Sequence, residues 1–267
     1  MGHEGTGQPA SISKLGLRMT ENRRRTAVVL AGGEGRRLKP YTTVLPKPLM
    51  PLGQHPVLEI VLRQLALFGF SDVILAVGYL AQLIEAYVGD GSRFGVNVRY
   101  SREENRLGTA GPLRRIERLP DSFLVMNGDI LTDMDFAALW NAHAASGAAL
   151  TVASIRKTET MEFGVLDIAE DGRVLRYTEK PQRSVDISTG IYAVSRAALT
   201  RIPEDKPFDF PDLVAKLLDE GERVMAYKAD CLWLDIGRIE DYELAVELYS
   251  SSPERFLGSL RPDTYSV

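Results

Sequence analysis

The sequence contains only one cysteine, Cys231, among 267 residues. A single thiol excludes an internal disulfide and is typical of proteins from a reducing compartment. Long apolar runs are also absent. No stretch reaches the roughly 18 residues that a membrane-spanning helix needs, and the N-terminal segment lacks the apolar stretch of a secretion signal. These absences predict a cytoplasmic location and no membrane partner.

An excess of basic residues is missing as well. The 32 lysines and arginines are outnumbered by 36 aspartates and glutamates, which gives a formal charge of −4. Because nucleic-acid-binding domains usually carry a basic excess, we expect no nucleic acid as a partner. The three histidines, His3, His55 and His143, have no spacing typical of metal ligands, and we assign none of them to a metal.

Short apolar runs alternate along the chain with segments whose apolar residues recur at helical spacing. This alternation predicts a single α/β domain over residues 26–249, with a mixed, mostly parallel sheet and helices on both faces. Residues 1–25 are predicted to be a flexible leader, with Met19 as an alternative start, and residues 250–267 a C-terminal tail. The predicted strands are 26–31, 73–78, 96–101, 123–129, 148–155, 165–168, 174–177, 190–194 and 232–237, and the predicted helices are 57–68, 80–88, 109–118, 136–146, 211–220 and 240–248.

Three glycines, Gly32, Gly33 and Gly35, follow the first predicted strand in the segment "LAGGEGRRL". A glycine-rich turn at the end of a buried strand can bind a phosphate, because its backbone N–H groups converge on the anion and no side chain blocks the approach. The alternative is a tight turn into an ordinary helix. The P-loop does not fit, since its Lys-Ser/Thr pair is missing. The dinucleotide fingerprint does not fit either, since Leu38 stands where it requires a glycine.

Positive charge follows these glycines at once. Between Arg23 and Lys47 there are seven basic residues and a single acid, Glu34. Arg36 and Arg37 come directly after the last glycine, and Lys47 lies between two prolines that restrict the backbone. Backbone amides together with such directed cations suit a triphosphate. The alternative is a solvated basic surface.

Two acids are predicted to lie at the ends of strands. "VMNGD" closes a predicted buried strand at Asp129, and "WLDIG" puts Asp235 in a similar position. Ligands of α/β sheets bind at the carboxyl ends of strands. Mg²⁺ takes one or two protein carboxylates and completes its shell with phosphate and water, so the two acids could hold it. Alternatively, Asp129 is a plain turn former. Glu179 and Lys180 in "YTEKP" form either a surface ion pair or contacts to a sugar hydroxyl and a phosphate.

Seven short stretches occur in the order in which one known family has them: "LAGGEGRRL", "PKPLMPLG", "LGTAGPL", "NGD", "EKP", "TGIY" and "WLDIG". Over residues 26–249 the chain resembles the sugar-1-phosphate nucleotidyltransferases, also called nucleotide-sugar pyrophosphorylases. The resemblance implies a Rossmann-like α/β fold and a Mg²⁺-dependent attack of a sugar 1-phosphate on a nucleoside triphosphate, with release of pyrophosphate. No β-helix or CBS module follows in the sequence, so no second enzymatic or sensory domain is expected.

The resemblance also implies roles for individual residues. Arg37, Lys47 and Asp129 are implied to be catalytic, with Arg37 acting on the departing pyrophosphate, and Asp129 and Asp235 to hold Mg²⁺. The implied nucleotide-binding residues are Leu30, Ala31, Gly32, Gly33, Gly35, Arg36, Glu103, Gly108 and Thr109. The implied sugar-phosphate-binding residues are Asn127, Gly164, Glu179, Lys180, Thr189 and Gly190. The chain departs from the family pattern at Arg36, where threonine is usual, and in "EFG" and "STG", which replace the commoner "YG" and "NAG".

The nucleotide base is expected to contact Glu103, because a glutamine takes the corresponding place in thymidylyl relatives. A carboxylate only accepts hydrogen bonds. Guanine offers adjacent N1–H and N2–H donors to the carboxylate. Adenine and cytosine would instead turn the lone pair of a ring nitrogen, N1 or N3, toward the carboxylate. We therefore favour GTP, and the segment most resembles the mannose-1-phosphate guanylyltransferase branch, which suggests mannose or a manno-heptose as the sugar.

Several alternatives stay open at this point. In one alternative, Glu103 and Glu104 are charged residues of a solvated loop. Others are a thymidylyl-, uridylyl- or cytidylyltransferase of the same fold, glucose or an N-acetylhexosamine as the sugar, and a non-catalytic relative that binds a nucleotide-sugar. A second copy of the chain, forming a homo-oligomer, is a further candidate partner.

Overall fold

The computed structural model of the chain describes residues 24–103 and 105–258. The strands are β1 (Arg25–Ala31), β2 (Pro51–Leu52), β3 (His55–Pro56), β4 (Phe70–Val77), β5 (Asn97–Arg102), β6 (Ser122–Asn127), β7 (Ile130–Thr132), β8 (Leu150–Thr160), β9 (Val165–Ile168), β10 (Val174–Thr178), β11 (Gln182–Ser195), β12 (Val224–Lys228) and β13 (Trp233–Asp235). The helices are α1 (Val57–Leu67), α2 (Ala81–Val88), α3 (Phe136–Ser146), α4 (Phe210–Asp219), α5 (Ile239–Ser251) and α6 (Pro253–Leu257). The predicted leader, with Met19, lies outside the described residues except for Arg24 and Arg25, and Arg25 begins β1.

The central sheet has seven strands in the order β12-β8-β11-β6-β1-β4-β5. Strand β1 runs parallel to β4 and β6, β4 runs parallel to β5, and β12 runs parallel to β8. Only β11 is antiparallel to its neighbours, β6 and β8. The predicted single α/β domain with a mixed, mostly parallel sheet is confirmed. Within the described residues, no helix combines the length and the apolar content needed to cross a membrane.

The two faces of β1 show why helices cover the sheet on both sides. Ala27 and Val29 pack with residues of α1, α2 and α3, whereas Val28 packs with Phe210 and Leu213 of α4 on the opposite face. Successive side chains of a strand point to opposite faces, so a continuous apolar run requires a cover on each side. The predicted arrangement of helices is therefore confirmed.

A third apolar cluster joins the C-terminal helices to the segment between β1 and α1. It contains Leu38 and Met50 from that segment, Tyr249 from α5 and Phe256 from α6, all nearly fully buried. Helix α5 crosses the predicted boundary at residue 249, and α6 lies within the residues predicted to form a tail. These contacts fix the loop that follows the glycine turn.

The predicted helix at 109–118 is wrong. Only a short 3-10 turn, Gly111–Arg115, forms there. The backbone N–H groups of Ala110 and Gly111 both donate to the carbonyl of Phe208, each at 2.9 Å. The segment is thus bound to a distant part of the chain, and these tertiary hydrogen bonds replace a local helix.

Strands β8 and β11 are longer than the predicted 148–155 and 190–194, since they continue as a polar antiparallel ribbon. Gln182 pairs with Thr160 at the far end of this ribbon. Its residues are mostly exposed and lack apolar alternation, so periodicity does not reveal them. The predicted strands 165–168 and 174–177 are confirmed as β9 and β10, which pair antiparallel.

We predict that Phe210→Ala lowers the free energy of unfolding by about 3–5 kcal/mol, because it removes a large side chain from the core. Phe210 is only 2% exposed, and its ring stacks on Tyr192 at a centroid distance of 3.9 Å. Leu218→Ala on the same helix is the matched control, since Leu218 is 56% exposed. Chemical denaturation measures both changes, and equal losses would contradict the assignment of Phe210 to the core.

Candidate active site

The glycine turn brings the first strand close to the segment that carries Lys47. Gly35 has a left-handed backbone with φ of 60°. A β-carbon added to it would lie 2.9 Å from Thr42 Cγ2 and 3.1 Å from Lys47 Cβ. Thr42 Oγ1 also donates to the carbonyl of Gly35 at 2.8 Å. Only glycine satisfies both the backbone conformation and this close approach.

The other two glycines of the turn have different surroundings. A β-carbon on Gly32 would lie 3.4 Å from the backbone nitrogen of Gly78, and Tyr79 N donates to the Gly32 carbonyl at 3.2 Å. Gly33 has open space around it. No α-helix follows the turn before α1, so the alternative of a turn into an ordinary helix is wrong. Three 3-10 turns, Arg36–Leu38, Tyr41–Thr43 and Lys47–Leu49, take its place.

Two short strands bring Asp129 and Asp235 together. Asp129 lies in the turn between β6 and β7, and β13 pairs antiparallel with β7 so that Asp235 stands opposite Ile130. Ile236 N donates to the Asp129 carbonyl at 3.1 Å. Lys47 Nζ donates to Asp129 Oδ2 and lies 4.0 Å from Asp235 Oδ1. Three residues from separate parts of the chain thus share one charged site.

The electrostatics of this site disfavour the ionised form of Asp235. Burial raises the pKa of Asp235 above its usual value, and the charge of Asp129 raises this pKa further. Lys47 and Arg37 oppose that effect. Two carboxylates close together repel each other, and a cation relieves the repulsion.

The donor set fits a divalent cation shared with a ligand. Asp129 Oδ1 is buried and has no hydrogen-bond partner among the described residues. In the described part of the chain, no group of three or more histidine, cysteine or acidic side chains could hold a metal. Mg²⁺ is commonly held by one or two carboxylates, with phosphate and water completing the shell. Asp129 and Asp235 are the residues that could hold it.

Arg37 lies beside Asp235 at a position that Gly237 keeps clear. A β-carbon on Gly237 would lie 3.2 Å from Arg37 Nη2 and 3.4 Å from Asp235 Oδ2. A larger residue would therefore crowd both groups. Gly237 was not among the predicted site residues, although it closes the "WLDIG" stretch.

A cavity of about 300 Å³ lies next to the charged site. Its lining residues are Leu30, Gly32, Gly33, Glu34, Glu103, Arg106, Gly108, Thr109, Asn127 and Asp129. The cavity therefore brings together six of the predicted nucleotide-binding residues. Glu34 and Arg106 line it without having been predicted, because no local pattern distinguishes them from other loop charges.

The three remaining predicted nucleotide-binding residues do not line the cavity. Ala31 is buried in the core. Gly35 packs against Thr42 and Lys47. Arg36 forms an ion pair with Glu34 at 2.7 Å.

Glu103 enters the cavity from the end of β5. Its backbone N–H donates to the Val77 carbonyl at 2.9 Å, and its Oε1 approaches the α-carbon of Gly32, so that a β-carbon there would lie 3.3 Å away. Burial raises the pKa of Glu103, opposed by a hydrogen bond from the backbone of Leu107 and by the charge of Arg115. Glu104 lies outside the described residues. The half-buried position of Glu103 differs from that of a solvated loop charge.

Asp209 holds the loop that contains Gly108 and Thr109. The Thr109 backbone N–H and hydroxyl both donate to Asp209 Oδ1, at 2.8 and 3.0 Å. Phe210 N donates in turn to Thr109 Oγ1 at 3.0 Å. Gly108 has φ of 79° and touches Phe208 and Asp209 too closely for a side chain. The hydroxyl of Thr109 is thus used structurally.

The predicted sugar-phosphate residues fall into two groups. Asn127 lines the cavity, and its Nδ2 packs against Gly190, which has φ of 73°. Thr189 is buried, and its hydroxyl donates to the Ala153 carbonyl at 2.9 Å while Trp233 Nε1 donates to the carbonyl of Thr189 at 2.8 Å. The side chain of Thr189 therefore faces the core.

The second group lies on the exposed hairpin of β9 and β10. Gly164 packs against the ring of Tyr177, whose hydroxyl donates to Glu179 Oε2. Lys180 has a left-handed backbone, with φ of 44°. Within residues 24–103 and 105–258, no hydrogen bond or ion pair joins Glu179 or Lys180 to the cavity or to each other. Their roles in binding the sugar phosphate therefore stay a prediction.

Comparison with known proteins identifies the family. A family model described as nucleotidyl transferase matches residues 26–252, most of the chain. The chain belongs to the nucleotidyl transferase family. The resemblance noted from the seven short stretches is confirmed.

Individual nucleotidyl transferases show the range of the likeness. The chain is 37% identical over 242 residues to a UTP–glucose-1-phosphate uridylyltransferase of Synechocystis sp., an alignment that covers 82% of this chain and 62% of that relative. It is 33% identical over 222 residues to a mannose-1-phosphate guanylyltransferase of Mycobacterium tuberculosis, which covers 81% of this chain and 62% of that relative. The chain thus spans about 62% of the length of these two curated relatives.

One solved structure is similar to this chain over nearly the whole length of its own chain. The crystal structure of HddC from Yersinia pseudotuberculosis complexed with GMP-PN superposes with a TM-score of 0.65 at 27% identity. The superposition covers 84% of this chain and 99% of that chain.

We predict that Lys47→Met lowers the free energy of unfolding by about 3 kcal/mol in the presence of a chelator, because it leaves two partly buried carboxylates without their cation. Lys47 is 11% exposed and Asp129 is 22% exposed. Mg²⁺ should recover much of this loss by taking the place of the ammonium group. Denaturation with chelator and with Mg²⁺ measures both effects.

Lys228→Met is the control, because Lys228 pairs with Asp186 at 2.9 Å on the surface. Such pairs contribute about 0–1 kcal/mol. If the Lys47→Met protein has the same free energy of unfolding with Mg²⁺ as with the chelator, the two carboxylates do not form a cation site.

Proposed function

We propose that the chain transfers a nucleotidyl group from a nucleoside triphosphate to a sugar 1-phosphate, giving a nucleoside diphosphate sugar and pyrophosphate. One observation carries the proposal: Lys47, Asp129 and Asp235 form one charged site, next to Arg37 and to a cavity lined by the glycine turn. The uridylyltransferase and the guanylyltransferase among the relatives support the same reaction class. We further propose a cytoplasmic location, which the single cysteine supports. We also propose that the chain forms a homo-oligomer.

Catalysis of this reaction requires mainly that the protein position the two substrates and supply positive charge. An oxygen of the sugar phosphate attacks the α-phosphorus in line, and the bond to pyrophosphate breaks. Arg37 and Lys47 would stabilise the charge that develops on the leaving group and the transferring phosphate. Asp129 and Asp235 would hold Mg²⁺, and the bound ion supplies charge neutralisation at the phosphates.

The backbone of the glycine turn would bind the triphosphate. Gly33 has open space around it, so phosphate oxygens can approach the N–H groups of the turn closely. On the other side of the site, Asn127 and Gly190 would form the start of the sugar-phosphate subsite. Gly164, Glu179, Thr189 and Lys180 remain proposals from the family resemblance.

We propose GTP as the preferred nucleotide, with mannose or a manno-heptose as the sugar. The half-buried carboxylate of Glu103 supports guanine, because it can accept two hydrogen bonds from adjacent donors. The guanylyltransferase relative and the HddC complex with GMP-PN support the same base. The second candidate is uridylyl transfer to glucose 1-phosphate, favoured by the 37% identical relative from Synechocystis.

A matrix of four nucleoside triphosphates against several sugar 1-phosphates, read by pyrophosphate release with and without Mg²⁺, tests the proposed function. We expect release with at least one pair and only with the metal. Absence of release from every pair, with nucleotide-sugar binding retained, would indicate the non-catalytic alternative.

We predict that Asp129→Ala and Arg37→Ala each reduce turnover by about 10³-fold or more, because each removes a group that acts on the transition-state charge. The fold should be retained, as far-ultraviolet circular dichroism would show. Asp186→Ala and Arg173→Ala are matched controls on exposed ion pairs and should leave turnover unchanged. Wild-type rates in either active-site variant would contradict its catalytic assignment.

We predict that Glu103→Gln reduces the preference for GTP over UTP by a factor corresponding to about 1–3 kcal/mol, since it removes a matched pair of hydrogen bonds. Guanine needs the ionised carboxylate, and burial raises the pKa of Glu103 above 4.5. The affinity of the wild-type protein for GTP should therefore fall as the pH drops through this raised pKa.

The glutamine variant should lose that pH dependence. Equilibrium binding of GTP and UTP as a function of pH measures both effects, with Glu243→Gln on the exposed side of α5 as the control. An unchanged nucleotide profile in Glu103→Gln would show that Glu103 does not contact the base.

A further inference from the structure

One acid lies between two arginines at the rim of the cavity. Arg36 Nε donates to Glu34 Oε2 at 2.7 Å, and Arg106 Nη2 contacts Glu34 Oε1. Each carboxylate oxygen thus pairs with one guanidinium. Glu34 and Arg106 line the same cavity as Gly32 and Gly33. The ion pair therefore connects the glycine turn to the loop after Glu103, across the space proposed for the nucleotide.

This bridge can be exchanged for a stronger anion. The side chains of Arg36 and Arg106 are 70% and 62% exposed, and ion pairs at such positions contribute little to stability. Phosphate oxygens form charge-assisted, often bidentate hydrogen bonds with guanidinium groups. A triphosphate carries more charge than one carboxylate, so it competes effectively for both arginines.

The other cations of the site have different partners. Lys47 is bound to Asp129, and Arg37 lies beside Asp235. Arg36 and Arg106 are instead the basic groups that pair with Glu34 of the glycine turn. The outer phosphates of a nucleotide held by this turn would meet Glu34 first, and its negative charge would repel them.

We propose that Glu34 is a displaceable gate of the nucleotide cavity, and that Arg106 binds the outer phosphates of the triphosphate once Glu34 has released it. The inference rests on the proposed function and adds a substrate-binding residue and a regulatory contact to the same site. In the free protein, the carboxylate of Glu34 takes the place of a phosphate between Arg36 and Arg106. Binding of the triphosphate breaks both ion pairs, and the two guanidinium groups then pair with its phosphates.

The test uses Glu34→Gln, which keeps the shape of the side chain and removes its charge. Binding of GTP, GDP and GMP, and of the matching uridine series, is measured by calorimetry with Mg²⁺. We expect about threefold to tenfold tighter binding of the triphosphate, a smaller gain for the diphosphate and none for the monophosphate, because only the outer phosphates meet the gate. The KM for the sugar 1-phosphate should not change. A gain in affinity cannot result from misfolding.

Arg106→Gln provides the second arm. It should weaken triphosphate binding by about tenfold and leave monophosphate binding nearly unchanged, since it removes a contact to the outer phosphates only. When Glu34→Gln is added to Arg106→Gln, it should raise the affinity for the triphosphate less than it does in the wild-type protein. The reason is that Arg106, which loss of the Glu34 charge would release, is then missing. Retained monophosphate binding shows that the variants are folded.

The exposed pair of Arg114 and Glu204, at 3.1 Å, supplies the controls Arg114→Gln and Glu204→Gln. Neither should affect nucleotide affinity. Weaker triphosphate binding by Glu34→Gln would overturn the proposal, since Glu34 would then position the arginines or hold the metal ion. An equal change for monophosphate and triphosphate, or no change, would overturn it too. A wild-type protein that releases pyrophosphate with no substrate pair refutes the proposed function instead.

Discussion

Two carboxylates stand side by side in this protein because an ammonium group lies between them. Strand pairing of β7 with β13 brings Asp129 and Asp235 together, and Lys47 reaches them from a segment far away in sequence. The segment that carries Lys47 is held in turn by the apolar cluster under α5 and α6. The C-terminal helices thus support the site through packing, and the charge of Asp241 on α5 also acts on Asp235.

The sheet was predictable because its strands are buried on both faces. A run such as that of β1 has no other stable arrangement, and the alternation of strands and helices then determines the layers. The failures lie where structure depends on distant contacts. The turn at Gly111–Arg115 is held by Phe208, and the ribbon of β8 and β11 pairs through backbone hydrogen bonds between polar residues. Neither feature has a local apolar period that could reveal it.

The same distinction between local patterns and distant contacts applies to the active-site residues. The glycine turn and Asp129 follow from strand ends and backbone chemistry, which the sequence displays directly. The roles of Gly237 and Arg106 depend on approaches between segments far apart in the chain, so no local pattern indicates them. Thr189 shows the opposite case. Its motif suggested a pocket, but the need of its hydroxyl for a buried partner turns the side chain toward the Ala153 carbonyl.

A comparison with another buried acid shows why the pair at Asp129 resembles a binding site more than a structural ion pair. Glu59 is 1% exposed, yet Arg63 donates to one of its oxygens at 2.8 Å and Tyr87 to the other. Its charge is compensated within the fold. Asp129 keeps one buried oxygen without a partner among the described residues, and burial together with the charge of Asp129 raises the pKa of Asp235. A single divalent cation would satisfy the free oxygen, reduce the repulsion and release Lys47 to bind a phosphate. One divalent cation would thus compensate both the unpaired oxygen and the repulsion between the carboxylates. Such uncompensated groups are expected at a site that is complete only with its ligand bound.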